Sequence, residues 1–184
     1  GNGHFGEDRL RNQWWDPIIE DAFWNSSMIP KIDYSKRNKS KETGEFEYII
    51  IVPDDADFIS YANQIKEFRR KQGISTCIYN LNEIGGNTVD AIECWIDNAY
   101  YNWNTPPAAI LLLGDYGTGS NGIISHLYPH VSSNYPDYAS DNKYADVNGD
   151  DLPDIVIARI TANNNSQLET MITKFIEYEQ NPPT

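Results

Sequence analysis

The segment Phe46-Glu-Tyr-Ile-Ile-Ile-Val52 is a near-continuous run of apolar residues. A strand that is buried on both faces has this composition, because neither of its faces meets water and no polar alternation is needed. Further short apolar runs follow along the chain at Ser75–Tyr79, Ala108–Leu113 and Ile155–Ala158. The sequence therefore predicts four strands, all in the part of the chain that begins at Phe46.

Segments with an apolar stripe at helical spacing separate most of these strands. The first helix is expected to begin in the acidic cluster after Pro53 and to end near Gly73. We expect Asn87 to cap the second helix, and Ser166 to cap the last one in a capping box with Glu169. This alternation predicts an α/β fold, with an open, mostly parallel sheet of about four strands flanked by helices and joined by right-handed crossovers, as in Rossmann-like domains.

The first part of the chain has a different character. The segment Arg9–Met28 has the spacing of a short amphipathic helix that is broken near its start by Pro17. Its apolar face is expected to dock on the main domain. The segment Asp33–Glu45 is polar and rich in Lys and Ser, as linkers are. We therefore divide the chain into an N-terminal helical extension with a linker, residues 1–45, and an α/β subdomain, residues 46–184.

The overall charge of the chain excludes some classes of binding partner. The chain has 14 basic and 27 acidic residues, which gives a formal net charge of −13. Nucleic acids and anionic membranes repel such a surface, so neither is expected to be a partner. The charge suits a secreted protein that binds cations or a basic substrate, and solubility alone would also explain it. The two cysteines, Cys77 and Cys94, fall inside a predicted strand and a predicted helix, where we interpret them as buried small hydrophobic residues.

A dense acidic turn, Asp146-Val-Asn-Gly-Asp-Asp-Leu-Pro-Asp154, precedes the last predicted strand. Its carboxylate and amide side chains fall largely on alternate positions and repel one another unless a cation lies between them. Ca²⁺ is the natural candidate, because it takes about six to eight oxygen ligands from carboxylates and carbonyls in tight loops. The loop is not an EF-hand, because it lacks the terminal Glu and a strand follows it. The alternative is an acidic surface turn with Asx-type hydrogen bonds to its own backbone.

A second candidate position is Asp115, which follows the third predicted strand. Ligands of open α/β sheets gather beyond the carboxyl ends of the strands. The acidic turn precedes the fourth strand, so it can approach Asp115 only if that strand runs antiparallel or if the long loop between residues 116 and 146 folds back. We expect one of these arrangements, and the length of the loop indicates a functional or metal-bound segment.

No catalytic group is evident from the chemistry of single residues. His126 and His130 lie in the long loop without a nucleophile in a recognisable setting. A thiol in the middle of a strand or helix is normally inert. The stretch Gly117–Gly122 has the composition of a phosphate loop, but it lacks the lysine and the spacing, so we interpret it as a flexible turn.

The order of several motifs resembles that of the gingipain (C25) family of cysteine endopeptidases. These motifs are Glu47-Tyr-Ile-Ile-Ile-Val52, Phe68-Arg-Arg-Lys-Gln-Gly73, Leu111-Leu-Leu-Gly-Asp115, Ser140-Asp-Asn-Lys-Tyr144, Asp150-Asp-Leu-Pro-Asp154, Ile157-Ala-Arg159 and Phe175-Ile-Glu-Tyr-Glu179. The resemblance covers about residues 46–180.

This resemblance implies the first half of a caspase-like peptidase domain. The catalytic His and Cys of gingipains lie in a second subdomain, and no residue here matches their motifs, so no catalytic residue is carried over. The implied partners are that C-terminal catalytic subdomain of the same polypeptide and a protein or peptide substrate, and the implied location is secreted or on the bacterial cell surface. The resemblance also implies a Ca²⁺ site formed by Asp115, the carbonyl of Val147, Asp150, the carbonyl of Leu152, and Asp154. Asp146 and Asn148 are additional candidates from the spacing alone.

Other functions stay open at this point. A non-enzymatic secreted α/β binding module could use the acidic turn and the aromatic residues for adhesion or sugar recognition. A receiver-like regulatory domain fits the alternation of elements and could use Asp54 and Asp55 as its acidic pocket, but no lysine follows a later strand.

Overall fold

A computed structural model of the chain describes residues 16–28, 31, 46–103, 106–132 and 134–182. The chain divides into two units, residues 1–45 and 46–184. The described part of the first unit contains helix α1 (Asp16–Ala22) and a 3₁₀ turn (Ser26–Met28), and α1 buries none of its residues. Pro17 is the second residue of α1, so it helps to begin this helix and does not break it. The expected helical residues before Asp16, and most of the expected linker, lie outside the described residues.

The second unit is built on a parallel sheet. The strands of this unit are β1 (Tyr48–Val52), β2 (Thr76–Asn80), β3 (Ala109–Leu113), β4 (Asp115–Tyr116), β5 (Gly122–Ile123), β6 (His126–Tyr128), β7 (Tyr138–Ser140) and β8 (Val156–Ile160). The main sheet has four strands in the order β2-β1-β3-β8, and every neighbouring pair is parallel. The predicted α/β fold with a parallel sheet of four strands is confirmed. Because β8 is parallel to β3, the long loop carries the chain from the carboxyl end of β3 back to the amino edge of the sheet, where β8 begins.

Helices cover both faces of this sheet. The helices are α2 (Ala56–Lys71), α3 (Val89–Asn102), α4 (Asn142–Ala145) and α5 (Asn165–Gln180). One core cluster joins α2 and α5 to the sheet through Phe58, Ile65 and Leu168. The other cluster joins α3 to the opposite face, and Ile123 and Tyr144 of the long loop complete it. The long loop therefore occupies the face on which a crossover helix would otherwise lie.

Two of the predicted helix caps are wrong. Thr88, and not Asn87, caps α3 by accepting a hydrogen bond from the N–H of Ala91 at 3.2 Å. Asn164, and not Ser166, caps α5, and its side chain accepts from the N–H of Gln167 at 3.0 Å. Both errors arise where several neighbouring polar residues could cap the helix about equally well. Tertiary contacts, which the sequence does not show, then decide which of them does so. Among the residues described, no helix is both long and apolar enough to cross a lipid bilayer.

The connections reverse direction between β1 and β3. The chain passes from β1 to β2 on one side and then returns across β1 to β3 on the other side. The carboxyl ends of β1 and β3 meet where Gly114 lies against Pro53, since a Cβ atom on Gly114 would lie 3.3 Å from Cγ of Pro53. The same Cβ would lie 3.1 Å from the carbonyl oxygen of Asn121, so the long loop packs directly beside this point. Ligands of open α/β sheets bind at such reversal points.

Candidate functional site

At the carboxyl edge of the sheet, the guanidinium group of Arg159 on the outer strand β8 is the centre of a hydrogen-bond network. Its Nε and Nη2 atoms donate to Oδ2 and Oδ1 of Asp141 at 2.8 and 2.7 Å, which is a bidentate ion pair. Nη2 also donates to the hydroxyl oxygen of Ser125 at 2.9 Å, and this hydroxyl donates to Oδ1 of Asp141 at 2.6 Å. The Arg159 side chain is only 9% exposed, so this charge is compensated by the protein and not by water.

The remaining nitrogen of this arginine holds the backbone of two segments. Nη1 donates to the carbonyl oxygens of Gly114, Asp115 and Ile123 at 3.1, 3.2 and 3.0 Å. A guanidinium group has five N–H donors in a planar fork, and here all its nitrogens have acceptors. Arg159 therefore joins the end of β3, strand β5 and the residue before α4 at one point.

The protonation of Asp141 follows from these contacts. Burial alone raises the pKa of the Asp141 carboxyl, but the hydrogen bonds from Arg159 and Ser125 and the positive charge of Arg159 outweigh it. The pKa of Asp141 consequently lies below its ordinary value, and the ion pair persists at neutral pH.

Asn87 holds the same loop from the side of α3. Its Nδ2 donates to the carbonyl oxygens of Gly117 and Gly122 at 3.1 and 3.0 Å, and its Oδ1 accepts from the N–H of Ile124 at 2.8 Å. This explains why Asn87 does not cap α3, since its side chain is fully used by the loop. A Cβ atom on Gly122 would lie 2.7 Å from the carbonyl oxygen of Gly117, so this approach requires glycine. The stretch Gly117–Gly122, which we interpreted as a flexible turn, includes the first residue of strand β5 and is bonded at both ends.

The structure does not bring the five expected Ca²⁺ ligands together. The N–H of Asp115 donates to the carbonyl oxygen of Ala162, beyond the carboxyl end of β8, at 3.0 Å. Asp154 precedes the amino end of the same strand, where Val156 pairs with Ala109. A strand rises about 3.3 Å per residue, so Asp115 and Asp154 lie on the order of 20 Å apart or more, at opposite edges of the sheet. The prediction of one site that joins Asp115 to the acidic turn is therefore wrong, because β8 runs parallel to β3.

The acidic turn is closed by hydrogen bonds to its own backbone. The carboxylate of Asp146 accepts hydrogen bonds from the N–H groups of Gly149, Asp150 and Asp151 at 2.8 to 3.0 Å. Asp146 is buried, with 7% of its surface exposed. The carboxylate of Asp154 accepts from the backbone N–H groups of Val147 and Asn148 and from Nδ2 of Asn148 at 3.1 to 3.3 Å. Oδ1 of Asp150 accepts from the N–H of Leu152 at 2.9 Å. These contacts are the Asx-type turns of the alternative interpretation.

The donor set of this turn fits Ca²⁺ only in part. Within the described ranges, no group of three or more His, Cys, Asp or Glu side chains is arranged to hold a metal ion. The carbonyl of Val147, an expected ligand, accepts a hydrogen bond from the hydroxyl of Tyr101 at 3.3 Å. Asp151 has a φ of 67°, in the left-handed region that residues other than glycine rarely adopt, so the backbone bends sharply there.

Helix α3 carries charged side chains beside the acidic turn. Nζ of Lys143 on α4 lies 2.8 Å from Oε1 of Glu93 on α3. The pKa of Asp97 is raised above its ordinary value, first by burial and then by the negative charges of Glu93 and Asp146, against which Lys143 acts in the opposite direction. Negative charge is therefore crowded between α3 and the acidic turn.

The described cysteines and histidines contact other residues and not one another. Cys94 is exposed, so the interpretation of this thiol as buried is wrong, while Cys77 is partly buried in β2. The ring of His126 packs on Tyr128 at 4.5 Å, and the ring of His130 packs on Tyr135 at 4.9 Å. Within the described ranges, no hydrogen bond or ring contact joins a cysteine to a histidine.

The sequence analysis missed the roles of Arg159, Asp141, Ser125 and Asn87. One signal was available, because Arg159 is a lone charged residue within the apolar run from Ile155 to Ile160. A charged residue in an otherwise apolar strand is seldom buried without a partner, and Asp141 lies in another of the motifs on which the resemblance was based.

Comparison with known proteins identifies the family. A search of curated protein sequences found no match. Among solved structures, the chain is similar to one described as "Structure of Protease", with 19% identity and a TM-score of 0.62, over 75% of this chain and 29% of that chain. It is also similar to the complex of the pro- and mature domains of RgpB from Porphyromonas gingivalis, with 23% identity and a TM-score of 0.57, over 72% of this chain and 29% of that chain.

The structure of the Arg-specific cysteine proteinase gingipain R is similar at 23% identity and a TM-score of 0.56, over 75% of this chain and 29% of that chain. These likenesses establish the fold, and the chain spans about 29% of the length of each solved structure that it matches. The family model described as peptidase family C25 matches residues 41–184. The chain therefore belongs to peptidase family C25.

Proposed function

We propose that this chain is the N-terminal, catalytically incomplete subdomain of a secreted or cell-surface bacterial cysteine endopeptidase of the gingipain type. The match of residues 41–184 to family C25 carries this proposal. The partial coverage of the similar structures, 29% in each case, supports the existence of a further portion of the same polypeptide.

In this proposal the two portions divide the chemistry between them. Thiol proteolysis needs a thiolate that a neighbouring imidazole activates. The C-terminal catalytic subdomain supplies that pair, and a protein or peptide is the substrate. Residues 46–184 supply a rigid parallel sheet whose carboxyl edge carries the loop held by Arg159 and Asn87.

An activity assay separates this proposal from its alternatives. We expect no cleavage of peptides with Arg or Lys at the scissile bond by the chain of residues 1–184, and cleavage by a longer polypeptide that includes the catalytic subdomain. Alkylation of thiols should abolish the latter. Cleavage by residues 1–184 that alkylation blocks would overturn the claim that this part is incomplete, and an inactive longer polypeptide would overturn the peptidase function.

The proposal includes Ca²⁺ in the acidic turn, with a revised set of ligands. Asp150, Asp154 and the carbonyl of Leu152 are kept from the expected set, and Asp146 and Asn148 complete the alternation. Oxygen donors at every second position, one of them a backbone carbonyl, are the pattern of Ca²⁺ loops. Oδ2 of Asp146 and Oδ1 of Asp154 each accept one hydrogen bond, which leaves a second lone pair on each oxygen and supports this assignment.

Calorimetric titration of chelator-treated protein tests the Ca²⁺ proposal. Asp150→Ala should abolish binding, while Asp115→Ala, at the other edge of the sheet, should leave the affinity unchanged. Binding at a hundredfold excess over Kd should stabilise the fold by about 2.7 kcal/mol. A melting temperature that neither Ca²⁺ nor chelator changes would leave the hydrogen-bonded acidic turn as the correct interpretation.

One observation favours the non-enzymatic binding module as a second candidate. The hairpin of β6 and β7 exposes aromatic and aliphatic side chains, with Tyr138 at 54% and Leu127 at 45% exposure. Tyr128 and Tyr138 stack with ring centroids 5.6 Å apart. Exposed aromatic surfaces of this kind are enriched at binding interfaces. Binding of a glycan or protein partner that Tyr138→Ala abolishes, together with an inactive longer polypeptide, would favour this candidate.

A further inference from the structure

We propose that Arg159 is a positioning residue for the substrate-facing loop of the peptidase, defined here as residues 114–125 and called the carboxyl-edge loop. The proposal rests on the proposed function, since it assumes a substrate bound at this edge. It goes beyond that function by naming the side chain that sets the position of the loop.

The carboxyl-edge loop lies where the connections of the sheet reverse. Gly114 and Pro53 mark the point between β3 and β1 where the connections of the sheet reverse, and ligands of open α/β sheets bind at such points. The carbonyl oxygen of Asn121 and the Cγ1 atom of Ile123 would each lie 3.1 Å from a Cβ on Gly114. The carboxyl-edge loop therefore forms one wall of any ligand site at this position.

Arg159 holds the loop at two places. It donates to the carbonyl oxygens of Gly114, Asp115 and Ile123, which lie at the beginning and near the end of the loop. Asp141 and Ser125 fix the guanidinium plane through the remaining donors. Because β8 is a strand of the main sheet, the loop is tied directly to the rigid core.

A lysine side chain cannot reproduce the hydrogen-bonding geometry of a guanidinium group. A planar guanidinium can bind a carboxylate in two places and still donate to carbonyl oxygens at its other nitrogen. A lysine has a single nitrogen with three donors and cannot serve the same set of acceptors. Arg159→Lys therefore keeps the positive charge and loses the hydrogen-bonding geometry. The variant distinguishes an effect of the position of the loop from an effect of the charge alone.

A matched control exists in the same domain. Arg69 forms a bidentate ion pair with Glu179 at 2.6 and 2.8 Å, and its side chain is 14% exposed. Its guanidinium also lies over the ring of Phe175, 4.8 Å from the ring centroid. This arginine joins α2 to α5 and makes no bond to the carboxyl-edge loop, so Arg69→Lys changes a similar buried pair at a different place.

Hydrogen exchange on the chain of residues 1–184 tests the structural half of the proposal. Arg159→Lys should raise the exchange of the N–H groups of Gly117 and Ile124 at least tenfold, while those of strand β1 stay protected. Arg69→Lys should leave the loop amides unchanged. Equal loosening of the loop and of β1 in Arg159→Lys, or a loop that stays protected, would overturn the proposal.

Kinetics of the longer polypeptide test the functional half. In this proposal the carboxyl-edge loop forms one wall of the substrate site, so loosening the loop weakens the binding of substrate more than it slows the chemical step. Arg159→Lys should raise KM for a peptide substrate at least tenfold with a smaller change in kcat, whereas a purely structural defect lowers the active fraction and leaves KM unchanged. Arg69→Lys should leave KM unchanged. An unchanged KM in Arg159→Lys would overturn the positioning role, while an inactive wild-type polypeptide would overturn the proposed function and leave the exchange result standing.

Discussion

Arg159 and Asp141 form a bidentate ion pair at 2.7 and 2.8 Å that fastens the start of α4 to the last strand of the sheet. The Arg159 side chain is 9% exposed and that of Asp141 is 21% exposed. A buried ion pair does not by itself stabilise a fold more than apolar packing would, because both charges lose their hydration. Removing one partner is different, since the other charge is then buried without compensation.

Asp141→Asn should lower the free energy of unfolding by about 3 to 5 kcal/mol. The amide has nearly the shape of the carboxylate, but it carries no charge and turns an N–H₂ group toward donors of Arg159. Urea denaturation at pH 7 measures the change. Glu67→Gln is the control, because Glu67 pairs with Arg70 at 3.4 Å with both side chains more than half exposed, and its loss should change stability by less than about 1 kcal/mol. Similar losses in the two variants would contradict the buried character of the Arg159 pair.

The same ion pair predicts a loss of stability in acid. The pKa of Asp141 is lower in the folded protein than the value of about 3.9 expected in the unfolded chain, despite the opposing effect of burial. Its stabilising contribution is therefore complete above about pH 4 and is lost as the pH falls through the folded pKa. The difference in unfolding free energy between wild type and Asp141→Asn should shrink below pH 4. A difference that stays constant from pH 7 to pH 2.5 would show that the charge of Asp141 is not the source of the stability.

Asp97 should behave in the opposite way. Burial, followed by the charges of Glu93 and Asp146, raises its pKa in the folded protein. Ionisation is then harder in the folded than in the unfolded state, so stability is lost as the pH rises through the unfolded value and on through the folded one. Asp97→Asn should raise the melting temperature at pH 7, and the gain should vanish near pH 3.

Asp90→Asn is the control for this change. Asp90 lies in the first turn of the same helix, where a negative charge is favourable. Its replacement should lower the melting temperature slightly or leave it unchanged. A melting temperature for Asp97→Asn at or below that of wild type at pH 7 would contradict the crowding of negative charge beside the acidic turn.

The strands of the main sheet could be predicted because their signal is local. A central strand such as β1 needs apolar residues on both faces, and the run from Ile49 to Val52 meets this requirement. The parallel direction of β8 had no such signal. It depends on the path of the long loop, which returns to the amino edge across the face covered by α3.

The candidate site could be predicted only where it depended on neighbours in sequence. The hydrogen bonds of Asp146 and Asp154 are contained within one turn and follow from the acidic spacing. The bond between Arg159 and Asp141 joins residues whose contact depends on the fold of the loop between them. The resemblance to the gingipain family implied that Asp115 joins the acidic turn, but the sequence of this chain does not by itself place the two at the same edge of the sheet.

Gly122→Ala should destabilise the carboxyl-edge loop by about 1 to 3 kcal/mol, the usual range for an added methyl group in a packed site. A Cβ at this position would lie 2.7 Å from the carbonyl oxygen and 2.9 Å from the carbonyl carbon of Gly117, and both are backbone atoms that cannot rotate away. The hydrogen bonds from Asn87 to the same two residues hold them at this separation. Gly119→Ala is the matched control in the same loop, because a Cβ there would meet no atom within 4 Å. Thermal unfolding should show a lower melting temperature for Gly122→Ala alone, and equal melting temperatures would mean that the loop can open at this point without breaking its bonds to Asn87 and Arg159.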